Sequence, residues 1–155
     1  MPAIDNGLIS NYNPCMETRD VISLISKIRE KVNRFIVAEM VKQGLEGIGT
    51  SHGDIIYALL QKPRLTMAEI SAKINKDKST VTALVDKLVR LGMVTKEREK
   101  EDTRFVYVAL TGKGRELETV FEAISADMLE QFYLNVTEQE KEALLGILIK
   151  INNNF

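Results

Sequence analysis

Apolar positions recur at three- and four-residue spacing through most of this chain, and one short stretch changes to a two-residue period. Val21, Leu24, Ile25, Ile28, Val32, Phe35, Ile36 and Met40 form one stripe between Glu17 and Gln43, which predicts a long amphipathic helix. Gly44, Gly47 and Gly49 end it. Ser51, with Asp54 in capping-box position, opens a second predicted helix through Ile55, Ile56, Leu59 and Leu60, and Pro63 stops it. Thr66 with Glu69 opens a third, short helix through Met67, Ile70 and Ile74. Asp77 caps a fourth whose inner face is Val81, Leu84, Val85, Leu88 and Leu91, and Gly92 stands where a left-handed C-cap belongs.

The period then shortens. Met93 to Arg98 and Arg104 to Leu110 read as strands, with Val106, Val108 and Leu110 on one face and Phe105 and Tyr107 on the other. Glu99 to Thr103, between them, is charged and turn-like. Thr111 begins a fifth helix with the stripe Leu117, Val120, Phe121, Ile124, Met128, Leu129 and Phe132. Thr137 with Glu140 caps a sixth, along Leu144, Ile147, Leu148 and Ile151. The first sixteen residues carry Pro2, Pro14, Gly7 and several Asn or Asp, and are expected to be a loosely held arm.

A helix, a tight turn at Asn75-Lys76, a second helix and a β-hairpin is the order of a winged helix-turn-helix. The expected fold is therefore mostly α with a small β-hairpin wing, flanked by N- and C-terminal helices. The expected divisions are a flexible arm over 1–16, an N-terminal dimerisation helix and loop over 17–49, the winged helix over 50–111, and C-terminal dimerisation helices over 112–155. The dimer is argued from area. Three amphipathic helices lie outside the winged helix, which is too small to cover their stripes, so association is favoured over an elongated monomeric bundle.

Composition narrows the function. The 155 residues carry 21 Lys+Arg against 22 Asp+Glu, so a globally basic protein is excluded and any nucleic-acid surface must be local. Such a concentration exists. From Lys73 to Arg98 there are seven basic residues against three acidic ones, whereas from Arg115 to Phe155 three face eight. A basic island on a helix-turn-helix favours DNA over an incidental solvated face. The outer face of the fourth helix carries Lys78, Ser79, Thr80, Thr82, Ala83, Asp86, Lys87 and Arg90: small hydroxyls at the N-terminus for close approach, cations further along for phosphates. One Cys and one His exclude an intrachain disulfide and a Cys/His zinc site. No apolar run approaches the roughly 20 residues that cross a bilayer. No nucleophile–base pair is legible, and Gly112-Lys113-Gly114 lacks the spacing of a phosphate loop. The expectation is a cytoplasmic protein without enzyme activity, cofactor, metal or membrane partner.

The run Asp77-Lys78-Ser79-Thr80-Val81-Thr82-Ala83-Leu84-Val85-Asp86-Lys87-Leu88-Val89-Arg90-Leu91-Gly92 resembles the recognition helix of the MarR family of bacterial transcription regulators. Asp102-Thr103-Arg104 followed by Val108-Ala109-Leu110-Thr111 is similar to that family's wing signature, and the likeness spans about residues 17–152. The resemblance implies an obligate homodimer with interlocked terminal helices. It further implies recognition helices in successive major grooves of a double-stranded operator and wings in the minor grooves. By the same resemblance Arg104 is the wing arginine, oriented by Asp102, with Arg98 and Lys100 beside it, and Ser79, Thr80 and Thr82 contact bases or phosphates. Ala83 departs from the long polar side chain of many members, leaving an apolar contact such as a thymine methyl.

The expected function is a homodimeric, ligand-responsive repressor. The effector is expected to be a small aromatic or amphipathic molecule, an acid among the options, in a pocket walled by Phe35, Met40, His52, Ile55 and Ile56. Each of these has a plainer reading: junction packing for the apolar four, and an exposed helix-start residue for His52. Two alternatives stand beside this. One is a winged-helix module that binds protein, which would not need the cation surplus. The other is a thiol sensor acting through Cys15, opposed by the single cation, Arg19, within five residues of it.

Overall fold

The computed structural model describes residues 16–99 and 105–155. The expected arm, with Cys15, and the wing-tip positions Lys100, Asp102 and Arg104 lie outside the described residues. A 3-10 turn at Thr18–Asp20 leads into α1 (Val21–Lys42), followed by α2 (Thr50–Gln61), β1 (Leu65–Thr66), α3 (Met67–Ile74) and α4 (Lys78–Arg90). Then come β2 (Val94–Arg98), β3 (Val106–Leu110), α5 (Gly112–Glu116), α6 (Glu118–Phe132) and α7 (Glu138–Asn152).

Local signals set most boundaries. Thr66 accepts the Glu69 N–H at 3.2 Å while Glu69 accepts the Thr66 N–H at 2.7 Å, a reciprocal cap for α3. Thr137 and Glu140 repeat this at α7. The Glu69 carboxyl is pulled down to about 2, first by the Lys62 ammonium and then by the Thr66 N–H. Gly92 takes φ +71° after α4.

Three boundaries differ from the sequence expectation. Gly49, not Ser51, is the N-cap of α2; its N–H donates to His52 Nδ1 at 3.1 Å, so a histidine ring occupies the place of the usual carboxylate. The expected fifth helix is two, α5 and α6, divided at Leu117, whose N–H turns back to the Gly114 carbonyl at 3.4 Å. The wing is a three-stranded antiparallel sheet in the order β1-β3-β2, not a lone hairpin. In it Leu65 stands opposite Val108 and Val94 opposite Leu110. Gly114 explains the break after the wing: a Cβ there would lie 2.1 Å from the Met93 carbonyl oxygen, so only glycine lets α5 lie this close to the sheet.

The core lies inside the winged helix. Ile55, Ile56, Leu65, Ile70, Val81, Val85, Leu88 and Val108 are fully buried, and Met40, Ile48 and Ile124 join them from α1, its loop and α6. Met40 is the single buried residue of α1, and α7 buries none. Among the described residues, no helix is long and apolar enough to cross a membrane.

Candidate nucleic-acid interface

Burial fixes how α4 is presented. Val81, Val85 and Leu88 face the core, which leaves Lys78, Ser79, Ala83, Val89 and Arg90 exposed and Thr80 and Thr82 half-buried on the outer side. The turn before it is made by Asn75 in the left-handed region at φ +51°. At the helix start Asp77 accepts the Thr80 N–H at 2.9 Å and the Thr80 hydroxyl at 2.6 Å, and Ser79 also donates to it. These bonds, the Ser79 hydroxyl's first, hold the Asp77 carboxyl far below its ordinary range. The Thr82 hydroxyl donates to the Lys78 carbonyl at 2.8 Å. All three expected contact hydroxyls therefore direct their protons into their own helix. What they turn toward an approaching groove is acceptor oxygen, suited to base amino groups rather than to phosphate.

Lys87 is placed differently from its expected role. Its ammonium donates to the Gly47 carbonyl, and the side chain is half-buried, so it ties α4 to the α1–α2 loop instead of standing free for phosphate. Helical phase is the reason. Lys87 lies three residues after the half-buried Leu84 and one before the buried Leu88, on the flank rather than the outer face. Lys96 Nζ bonds Asp86 Oδ1 at 2.5 Å and locks β2 to α4. Arg98 is exposed at the end of β2, opposite Val106. A further cation escaped the sequence reading: Arg64 stacks over the Tyr107 ring at 4.0 Å and pairs with Glu99 at 3.3 Å, just past the outer end of β2. Pairing of the short strand β1 with β3 brings it there, and no local period announces that.

Behind this surface a cavity of about 550 Å³ opens between α1, α2 and α6. Of the five expected wall residues only Met40 lines it. Phe35 lines a separate hollow of about 290 Å³ between α1 and α6. Ile55 and Ile56 are fully buried in the core. His52 is 8 % exposed, its Nδ1 taken by the Gly49 N–H and its Nε2 buried without a partner. Burial first, and the Lys87 charge second, lower its pKa. The wall contributed by α2 is instead its other side, with Gly53, Asp54, Tyr57, Leu60 and Gln61. About 100° of rotation per residue separates the two faces, and the apolar stripe belongs to the core. Among the described residues no group of three or more His, Cys, Asp or Glu is placed to hold a metal ion.

Comparison with known proteins agrees with this geometry. The sequence pattern of the MarR family matches residues 46–104. The HTH-type transcriptional regulator SarZ of Staphylococcus haemolyticus is 31% identical over 102 residues, covering 65% of this chain and 68% of that protein. An uncharacterised HTH-type transcriptional regulator of Bacillus subtilis, YdgJ, is 25% identical over 141 residues, 91% of this chain and 82% of its own length. Among solved structures, a mutant MarR from E. coli complexed with operator DNA superposes with a TM-score of 0.75 at 20% identity, covering 88% of this chain and 99% of that one.

Proposed function

This chain belongs to the MarR family of transcription regulators, DNA-binding proteins rather than enzymes, and from that premise we propose that it acts in the cytoplasm as a homodimeric repressor whose hold on a pseudo-palindromic operator is relieved by a small ligand. The observation that carries the dimer is α7. Leu145, Ile147 and Ile149 are more than half exposed, with Leu144, Leu148 and Ile151 close behind. On α1, Val21, Ile22, Leu24 and Ile25 are likewise exposed. Two apolar helices of this length are poorly suited to water, and a second copy of the same chain supplies a self-complementary cover.

In this reading Lys78, Ser79, Thr80, Thr82, Ala83 and Arg90 meet the major groove, and Arg98, Lys100 and Arg104, with Asp102 orienting Arg104, serve the wing. Lys87 moves from DNA contact to positioning of α4, on the strength of its bond to Gly47. The exposed cationic face of α4 also favours DNA over a protein-binding module. The cavity is the effector site because it touches α1 and α6 of the dimer platform and α2 of the reading lobe at once. A ligand there that prefers one lobe spacing shifts the equilibrium toward it.

Selection of bound duplexes from a random pool tests this, followed by sedimentation and a salt series on the selected duplex. The expected result is an inverted repeat with half-sites about one helical turn apart, a species of twice 17.5 kDa, and a steep linear fall of log affinity with log salt. A stable monomer at micromolar concentration, or a pool that stays random, overturns it.

A further inference from the structure

We propose that the cavity between α1, α2 and α6 takes an organic cation, a protonated amine or a quaternary ammonium or phosphonium centre carried on an apolar body. This rests on the effector site proposed above and names the ligand class. The charged wall residues are Asp54 on α2 and Glu118 and Glu122 on α6; among the described residues no Lys, Arg or His lines it. The rest of the wall is mainly apolar, with Ile36, Met40 and Leu129 among its side chains, and Tyr57 and Phe121 add two aromatic rings. Carboxylates beside aromatic faces are the surroundings that recognise a soft cation, by direct charge and through the ring quadrupole.

The same wall disfavours the carboxylic acid admitted by the sequence. That expectation placed His52 in the cavity as the acid's partner, but His52 is buried in the first turn of α2 and caps it. An anion entering would lose hydration beside three carboxylates, with no cation among the described wall residues to meet it. Burial raises the Asp54 carboxyl above its ordinary range, and Lys76 partly opposes this. Lys76 acts from outside the wall. A bare metal ion is the poorer occupant, because these acids are not gathered into a group able to ligate one.

The test uses two ions of one shape and opposite charge, tetraphenylphosphonium and tetraphenylborate, and the smaller neutral triphenylphosphine oxide. Each is titrated calorimetrically into the purified full-length chain. Tetraphenylphosphonium should bind at least about tenfold tighter than the borate, and Glu118→Gln or Glu122→Gln should each weaken it by about threefold to tenfold. Triphenylphosphine oxide should be unmoved by either change. Ala126→Trp, which fills the cavity wall, should weaken every probe that binds there. Cation binding insensitive to all three substitutions places it elsewhere and overturns the proposal. If the borate or the oxide binds more tightly, responds to Ala126→Trp and releases the selected duplex, the effector site stands and the cation class falls. If no probe binds and none releases the duplex, both fall together.

Discussion

The winged helix and the terminal helices begin with the same kinds of local signal and end in opposite states. A side-chain cap opens α4 as it does α7, and both carry a helical apolar stripe. Yet α4 sends three residues to full burial, and α7 sends none. The first region closes a core within one chain: α2, α3 and α4 bury their stripes against one another and the sheet. The second leaves much of its stripes uncovered, α7 most of all. Local sequence thus decides that a helix forms and which side is apolar, and topology decides whether one chain can cover that side. A region that closes alone can read DNA as a unit, and in the proposed homodimer the uncovered region sets the distance between two such units.

The sharpest way to break this contrast is to remove matched side chains from the two regions. Ile56→Ala, in the closed core, should lower the unfolding free energy by about 2–5 kcal/mol. The loss should be alike at low and high protein concentration. Ile147, 55% exposed on α7, packs little within one chain. Ile147→Asp should instead weaken the dimer, bring sedimentation toward 17.5 kDa and remove the rise of Tm with concentration. Losses of similar size for both, each independent of concentration, would erase the distinction between the regions.

Legibility follows the same divide. The reciprocal caps at Thr66–Glu69 and Thr137–Glu140, the Asp77 cap and the left-handed Gly92 are short-range chemistry, and each stands in the structure where the residues place it. Helix order and the change of period at the strands are enough to specify the winged helix. What was not legible depends on distant contact. β1 is two residues long, too short to show a period, and exists because Leu65 and Thr66 meet Val108 and Tyr107. The close seat of α5, which needs Gly114 against the Met93 carbonyl, is likewise a contact between distant residues. Ile55 and Ile56 line the core and not the cavity, because an apolar stripe announces apolarity without saying which side faces which neighbour. Tyr57, an exposed aromatic beside that stripe, was the available signal for the other face.

Within the reading lobe, cations should divide by their partners. Arg104→Ala, at the wing position assigned by family resemblance, should weaken binding to the selected operator by about 1–3 kcal/mol. Arg90→Ala removes an exposed cation from the outer face of α4 and should flatten the salt slope by about 0.9 on specific and random duplexes alike. Lys87→Ala should leave that slope nearly unchanged. Its loss should fall on folding stability, about 0.5–1.5 kcal/mol for the bond to the Gly47 carbonyl. A salt slope that falls as much for Lys87→Ala as for Arg90→Ala would return Lys87 to the phosphate contacts.

The smallest effect concerns the cap that joins the two regions. His52 Nδ1 accepts the Gly49 N–H, so the neutral ring carries its proton on the buried Nε2. A second proton would have to take the cap's acceptor lone pair, in a buried place and near the Lys87 charge, and the pKa is accordingly lowered from 6.5. Below 6.5 the unfolded chain gains a proton that the folded chain resists, so stability should fall as pH drops from 6.5 toward the folded value and stay level above it. Asp54 runs the other way. Its raised pKa favours the folded chain at low pH, and that contribution fades as pH climbs above 3.8. The two are separated by His52→Gln, which keeps an acceptor at a capping-box position and does not titrate. Wild type should lose Tm between pH 6.5 and 5 relative to this variant, and the two should run parallel from pH 7 to 8. Parallel curves across the whole range would mean that the ring's second proton costs the fold nothing, and that the cap is held by something other than the Nδ1 lone pair.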